Sequence, residues 1–150
     1  MGVVRRRVSP TTAWLLVSLV WTAVIWGHSF IQGPDSANES GLVVQLVRPV
    51  FELAGMRDVE TITLVVRKLA HFSEYAVLGY LVGRLRGSLR RGRSGALALS
   101  VAWVLFVPVI DETIQLHVPG RAGSPVDVLI DLCGVALGSV LALVVLRFRD

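Results

Sequence analysis

The apolar residues of this chain are gathered into long blocks, and this feature limits its fold more than any other. Hydrophobic residues make up 53% of the 150 residues and charged residues 17%, whereas a soluble domain has about 45–50% and about 25%. About 20 apolar residues suffice for a helix to cross a bilayer, and few soluble cores need blocks of that length. The sequence therefore predicts an all-α integral membrane protein with a single domain over residues 1–150.

Four membrane-spanning helices are the most economical interpretation of these blocks. We expect them at about residues 12–32, 66–86, 95–116 and 125–147. The first block is longer than the apolar core of a signal peptide, which has about 7–15 residues, and this favours a retained anchor. The second and fourth blocks carry charges, which should weaken their hydropathy. The sequence thus predicts a membrane four-helix bundle, in which Asp58 is suited to cap the helix around the second block.

The connection between the first two helices, residues 33–58, is predicted to be an outer amphipathic segment. Apolar residues recur there at helical spacing, at Val43, Val47, Phe51 and Ala54, with polar residues on another face. This pattern suits a helix lying in the membrane interface, although Pro49 could break it. A packed cap over the bundle explains the pattern equally well.

The basic residues indicate how the bundle is oriented. Ten arginines fall on one side of a four-helix arrangement, opposed only by Asp150: Arg5, Arg6, Arg7, Arg84, Arg86, Arg90, Arg91, Arg93, Arg147 and Arg149. Positively charged loops stay inside, so both termini are expected in the cytoplasm, with the chain multi-pass in the plasma membrane. Because the arginines flank apolar blocks, we expect no nucleic-acid partner. The single cysteine, Cys133, is expected to be a small buried apolar residue.

Polar residues recur at helical spacing in three of the predicted helices. One side of the second helix carries Lys68, His71, Glu74 and Tyr75. The third helix ends with Asp111, Glu112 and Gln115. The fourth begins with Asp127 and Asp131, on one stripe with Gly134 and Gly138. Because Gly-x-x-x-Gly stripes face other helices in membranes, the acids should face inward with them.

Carboxylates within membrane helices need polar or charged partners. A lipid-facing Asp at mid-bilayer costs roughly 2.5–3.5 kcal/mol, and less near the interface. The sequence offers three fixed positive charges and one imidazole at the same level, on Arg67, Lys68, Arg121 and His71. We therefore predict an outward-facing polar pocket between the three helices, in which the acids pair, are hydrated or bind a ligand.

The motifs that carry these residues resemble the VanZ-like family of small bacterial membrane proteins. RKLAHFSEYAVLG is followed by DETIQ, VPGRAGSPVD and LIDLCGVALG, and the resemblance extends over all four predicted helices. It implies the signature polar positions Lys68, His71, Glu74, Asp111, Glu112, Gln115, Arg121 and Asp127. Asp131 stands where many members are expected to have Asn. The resemblance also implies a role at the cell envelope and, for the family's namesake, low-level teicoplanin resistance, but it implies no particular reaction.

Several functions remain open from the sequence. The pocket could bind or handle an envelope lipid or lipid-linked precursor, with Lys68, Arg67 and Arg121 gripping a phosphate or carboxylate. The candidate ligand-binding residues are Lys68, His71, Glu74, Tyr75, Asp111, Glu112, Gln115, Arg121, Asp127 and Asp131. The chain could instead be a membrane enzyme, with acid–base or metal chemistry on His71, Glu74, Asp111 and Glu112. It could also be a structural or partner-binding protein, whose polar network only locks helices together.

The sequence assigns no cofactor. A metal site is not predicted, because one histidine at the cluster and no cysteine make a poor zinc set, although clustered acids would suit Mg²⁺, Mn²⁺ or Ca²⁺. A transporter of this size would be expected to form a homo-oligomer, because four helices are few for alternating access.

Overall fold

The structure, a computed structural model, describes residues 8–89 and 94–148, without the side chains at 34–40 and 94. Over this range the chain forms five helices and no strand: α1 (Pro10–Ser29), α2 (Gly33–Leu53), α3 (Val59–Ser88), α4 (Ser94–Gln115) and α5 (Pro125–Arg147). The predicted all-α fold is confirmed. Helices α1, α3, α4 and α5 correspond to the four predicted spans, although α1 ends at Ser29 and α4 at Gln115, before the predicted ends at residues 32 and 116. Helix α2 is the predicted amphipathic connection and packs against α3.

Three of the helices are long and apolar enough to cross a membrane. They are Pro10–Ser29, Gly95–Gln115 and Pro125–Arg147, with mean hydropathies of 1.4, 1.8 and 2.5. The expectation that charges weaken the fourth block is wrong, because its two acids lie in the first two turns and the remaining turns are apolar. Helix α3 has 30 residues, about 45 Å at about 1.5 Å per residue, but its charges keep it outside this group. The protein is thus a membrane protein by its helices.

Helix starts follow from local sequence. The side chains of Ser9, Asp58 and Ser124 each accept a hydrogen bond from a backbone N–H in the first turn of α1, α3 and α5. Such caps satisfy donors that the helix itself leaves unpaired. Both the hydroxyl and the N–H of Thr61 donate to Asp58, as predicted for a cap, and these bonds lower the pKa of the Asp58 carboxyl.

Helices α3 and α5 pack backbone against backbone. A Cβ placed on Gly134 would lie 2.3 Å from the Phe72 carbonyl oxygen, and one on Gly138 would lie 1.8 Å from that of Ala76. From the other side, a Cβ on Gly79 would lie 2.2 Å from an α5 carbonyl oxygen. Only glycine permits this approach. The predicted Gly-x-x-x-Gly stripe therefore fixes how α5 lies on α3.

Helices α1 and α4 complete the bundle through tryptophans. The indole N–H groups of Trp21 and Trp26 donate to backbone carbonyls of α3 and α4, at 3.0 and 3.4 Å, and that of Trp103 donates to Thr22 at 3.1 Å. Buried indoles need such partners. The apolar core that they surround consists of Ile25, Tyr75, Leu78, Val82, Val107 and Val135.

The outward surface of the bundle is apolar, as a lipid-facing surface must be. Cys133 belongs to this surface, on one face of α5 with Leu129 and Leu137, which are 62% and 44% exposed. The prediction that Cys133 is buried is wrong. Four-residue spacing places it on the side of α5 away from the glycine stripe.

The two ends of the bundle differ. At one end Thr11 donates to the Ser88 carbonyl at 3.1 Å, and Arg84 is buried, 4.7 Å from the Trp14 ring centre. Three arginines counted for orientation, Arg84, Arg86 and Arg147, lie at this end. The other seven (Arg5, Arg6, Arg7, Arg90, Arg91, Arg93 and Arg149) lie outside the described residues. We call the opposite end, formed by the α4–α5 loop over residues 116–124, the loop end.

The first residue of α2 rests on the α4–α5 loop. The Gly33 N–H donates to the Pro119 carbonyl at 3.1 Å, and a Cβ on Gly33 would lie 2.0 Å from the Gly120 carbonyl oxygen. Pro49 does not break α2: the carbonyl of Gln45 loses its helical donor there, but Gln45 is exposed. Helix α2 therefore lies across the loop end as one piece.

Candidate functional site

Four polar side chains from three helices meet at the loop end. His71 of α3, Asp111 and Glu112 of α4, and Asp131 of α5 each offer one nitrogen or oxygen atom, and these atoms all lie within 4.8 Å of one another. The exposed fractions of Asp131, Asp111 and Glu112 are 0%, 1% and 4%. We call this group the carboxylate cluster. The structure thus brings together residues of all three polar stripes that the sequence indicates.

His71 lies between the acids of the two neighbouring helices. Its Nδ1 atom is 3.4 Å from Asp131 Oδ1 and 3.9 Å from Glu112 Oε1. Tyr75, one turn further along α3, is fully buried and its phenol lies beside Asp111. The glycine packing of α3 on α5 sets the spacing between His71 and Asp131, since both residues belong to the paired faces.

Hydrogen bonds from outside the cluster hold the two acids of α4. Asp111 accepts bonds from the Ser29 hydroxyl of α1 and, at 3.2 Å, from the Gln115 amide. Glu112 Oε2 accepts a bond from the Ser124 backbone N–H at 2.7 Å. Glu112 therefore ties the start of α5 to α4, and Asp111 ties α1 to the cluster.

Several atoms of the cluster make no hydrogen bond with any residue that the structure describes. They are Nδ1 of His71, Oε1 of Glu112 and both carboxylate oxygens of Asp131. A buried acceptor left in this state costs about 1–3 kcal/mol, and more when it is charged. Among the described residues, Asp131 Oδ1 and Glu112 Oε1 therefore have the His71 imidazole as a neighbour, at 3.4 and 3.9 Å, without a hydrogen bond.

Two of the predicted site residues pair with each other outside the cluster. Lys68 Nζ lies 2.5 Å from Asp127 Oδ1, and their side chains are 43% and 25% exposed. Lys68 is one turn nearer the start of α3 than His71, and Asp127 is one turn before Asp131 in α5. The pair therefore forms a rim above the cluster.

Glu74 turns away from the cluster toward α1. Its carboxylate lies 3.5 Å from Nδ1 of His28. Three residues rotate a helix by about 300°, so Glu74 lies about 60° from His71 around the α3 axis. That angle is enough to bring the side chain to a different neighbouring helix.

A cavity of about 470 Å³ opens between α2, α3 and the loop end. Its apolar lining includes Val43, Val47, Phe51, Val66 and Leu69. Its polar lining comprises His28, Arg67, His71, Ser73, Glu74 and Arg121. Burial, with the neighbouring charge of Arg67, lowers the pKa of Arg121 from its ordinary value. Since His71 lines the cavity and belongs to the carboxylate cluster, the two sites share a wall.

A family model described as VanZ/LLP1 matches residues 14–147, which include α2, α3, α4, α5 and most of α1. The chain belongs to the VanZ/LLP1 family. Neither the search of curated proteins nor the search of solved structures gave a match.

In this VanZ/LLP1 protein, sequence reasoning missed two site residues, His28 and Ser29. Both lie in the last turn of α1, and one contacts Glu74 while the other contacts Asp111. Polar residues at the end of an otherwise apolar helix were the signal that could have found them, because such residues seek polar neighbours at that depth.

This VanZ/LLP1 protein has two neighbouring sites of different chemistry, the cavity and the carboxylate cluster. The cavity has an apolar lining and a polar part with two guanidinium groups and the Glu74 carboxylate. The carboxylate cluster provides oxygen and nitrogen donors that can exchange protons or hold a cation.

Proposed function

We propose that this VanZ/LLP1 protein binds an anionic amphiphile of the bacterial envelope, a lipid or lipid-linked precursor with a phosphate or carboxylate group. The observation that carries the proposal is the cavity itself, whose apolar lining and paired arginines occur together. Its volume of about 470 Å³ falls in the range of ligand pockets, about 300–1,000 Å³.

The apolar part of the cavity suits an acyl or prenyl chain. Val47 and Phe51 of α2 face Val66 and Leu69 of α3 across it. Leu46, which is 82% exposed, lies beside this face, about 60° from Val43 and about 100° from Val47 around the helix axis. An amphipathic helix with exposed apolar residues fits partial immersion in a membrane, where these residues contact lipid chains.

The polar part suits an anionic group. Arg67 and Arg121 both line the cavity, and each charge disfavours the other. A phosphate or carboxylate between two guanidinium groups relieves that repulsion and accepts several hydrogen bonds at once. The same lining contains the Glu74 carboxylate, which lies 3.5 Å from Nδ1 of His28, and the Ser73 hydroxyl.

Orientation completes the proposal. The positive-inside rule places the arginine-rich end in the cytoplasm and the loop end at the outer leaflet of the plasma membrane. Helix α3 would then be the fourth span, with its charged turns at the headgroup level. A role in teicoplanin resistance follows only if the bound molecule is an envelope precursor on which that antibiotic acts.

The test compares amphiphiles that have the same chain and different headgroups. Purified protein in dodecyl maltoside is titrated with dodecyl phosphate or dodecyl trimethylammonium, and thermal unfolding is followed. We expect stabilisation by dodecyl phosphate alone, and its loss in the Arg67→Gln/Arg121→Gln variant. Arg48→Gln, an exposed arginine paired with Glu52 at 2.7 Å, is the control and should respond like the wild type. Equal stabilisation by both headgroups would contradict the proposal.

One observation favours a second candidate, a membrane enzyme. His71 lines the cavity and contacts two carboxylates, so an acid–base group borders the proposed binding site. An enzyme predicts conversion of the co-purified lipid in detergent, without any ion gradient. His71→Gln should abolish that conversion while the response to dodecyl phosphate persists. A transporter predicts flux in proteoliposomes instead.

A further inference from the structure

We infer that the carboxylate cluster is a binding site for a divalent metal ion, held by His71, Asp111, Glu112 and Asp131. The inference rests on the cluster and not on the proposed lipid binding. Three carboxylates with one imidazole form a mixed oxygen–nitrogen donor set, which is poor in the nitrogen and sulfur ligands of zinc sites. This set suits Mn²⁺ better than Ca²⁺, because Ca²⁺ takes six to eight oxygen ligands.

The spacing of the donor atoms fits a single ion. All four potential ligand atoms lie within 4.8 Å of one another. Ligands of an ion bound at about 2.0–2.4 Å are separated by at most about 4–5 Å, when they lie on opposite sides of it. The side chains therefore surround a volume of the right size without any movement of the helices.

The atoms that lack hydrogen bonds are the atoms that such an ion would need. Among the described residues, Nδ1 of His71, Oε1 of Glu112 and both oxygens of Asp131 make no hydrogen bond. Asp131 and Glu112 are 0% and 4% exposed. His71 Nδ1 faces both acids, at 3.4 and 3.9 Å, so these atoms point toward one another and not toward solvent. A cation between them would satisfy all of them together.

The carboxylates of Asp111 and Glu112 also accept hydrogen bonds from residues outside the cluster, as metal-ligating carboxylates usually do. Asp111 accepts hydrogen bonds from Ser29 and Gln115, and Glu112 Oε2 accepts one from the Ser124 N–H. Such bonds to ligating carboxylates orient them and hold the ligand positions before the ion binds. They come from α1, α4 and the start of α5, so the donors are placed by the fold.

The charge of the site also suits a divalent cation. Metal ligands bind in their deprotonated forms, with the three carboxylates ionised and His71 neutral. In that form the cluster and the guanidinium of Arg121, which acts on Asp111 and Glu112, have a formal charge of minus two. Lys68 does not neutralise the cluster, because it pairs with Asp127 at the rim. Buried like charges without a counter-ion repel strongly at this distance. A divalent ion would balance them.

Metal content of the full chain tests the inference. Protein purified in detergent is stripped with EDTA, dialysed against Mn²⁺, and analysed by mass spectrometry of the metal. We expect about one ion per chain, and at least a tenfold weaker affinity for Asp131→Asn. The control is Asp58→Asn, an exposed cap at the start of α3, which should bind like the wild type. A wild-type protein that retains no ion would overturn the inference.

A spectroscopic measurement covers the case in which Asp131→Asn does not fold. The pulsed electron paramagnetic resonance spectrum of bound Mn²⁺ should show coupling to an imidazole nitrogen, and His71→Gln should remove it. Bound Mn²⁺ without any nitrogen coupling in the wild type would mean an adventitious ion and would equally overturn the inference. The two proposals can fail separately, because the dodecyl phosphate assay changes Arg67 and Arg121, whereas the metal assay changes Asp131 and His71.

Discussion

Gly138 of α5 lies so close to Ala76 of α3 that a Cβ on Gly138 would be 1.8 Å from the Ala76 carbonyl oxygen. This contact belongs to the same pair of helix faces that carries His71 and Asp131. The packing surface and the polar site are therefore continuous, and a change in one displaces the other.

Replacing Gly138 by alanine should destabilise the bundle. The added methyl overlaps backbone atoms that cannot move aside, and overpacking of this kind costs about 1–3 kcal/mol. Gly27→Ala is the matched control, because no atom lies within 4 Å of the corresponding Cβ and alanine favours a helix by about 1 kcal/mol. Unfolding in detergent micelles measures both changes. Equal stability of the two variants would contradict the packing described here.

Removing the charge of Arg84 should loosen the end opposite the site. Its guanidinium lies 4.7 Å from the Trp14 ring centre and donates to the Tyr80 hydroxyl at 2.8 Å. We expect Arg84→Gln to lower the free energy of unfolding by about 1–3 kcal/mol, from the lost cation–π contact and hydrogen bond. Arg147→Gln, an exposed arginine at the same end, should cost much less in the same unfolding assay.

The Lys68–Asp127 pair should show modest coupling. Both side chains are partly exposed, and solvent screening limits such pairs to about 1 kcal/mol or less. A double-mutant cycle with Lys68→Met and Asp127→Asn, followed by unfolding at low and high salt, measures this coupling. We expect the coupling to decrease as salt is added. A coupling of several kcal/mol that salt leaves unchanged would show that the pair is more buried than described.

The Ser29 hydroxyl should contribute to the attachment of α1. It donates to Asp111 across the helix interface, and its loss leaves a buried carboxylate oxygen with one partner fewer. We expect Ser29→Ala to destabilise the protein by about 1–3 kcal/mol. Ser100→Ala, which removes only a bond to the Ala96 carbonyl of its own helix, is the control. Comparable losses for both variants would argue against an interhelical role.

Cysteine labelling should determine which end of the helix bundle faces the cytoplasm. In a Cys133→Ala background, His117→Cys at the loop end is expected to react with an impermeant maleimide in intact spheroplasts. Phe148→Cys, at a position that is 87% exposed at the opposite end, should react only after permeabilisation. The reverse pattern would place the cavity on the cytoplasmic side and would contradict the proposed location.

Helical spacing was sufficient to predict much of this arrangement. The stripes through His71, Asp111 and Asp131 could be placed together because each occupies one face of its helix at a similar depth, and unpaired acids at that depth are costly. Gly134 and Gly138, on the same stripe of α5 as the acids, further indicated that this side of the helix packs against another helix. These arguments use only periodicity and the cost of burial, which are local properties of the sequence.

Other features depend on which helix lies beside which, and periodicity does not contain that information. Glu74 lies near the His71 stripe in angle, yet it contacts His28 of α1, because α1 occupies that side of α3. Cys133 looks like a core residue by its apolar neighbours, but in a membrane an apolar neighbourhood is equally typical of the lipid-facing surface. In the same way, the cavity needs α2 to lie across α3, and that contact joins residues distant in sequence.

His71 forms part of both the cavity lining and the carboxylate cluster, and this shared imidazole has a thermodynamic consequence. A ligand that fixes the ring in one site changes the free energy of occupying the other. By reciprocity, a cation that alters the dissociation constant of an amphiphile tenfold must have its own dissociation constant altered tenfold by that amphiphile. One side chain would then let the membrane's lipid content govern metal occupancy, and metal supply govern lipid occupancy.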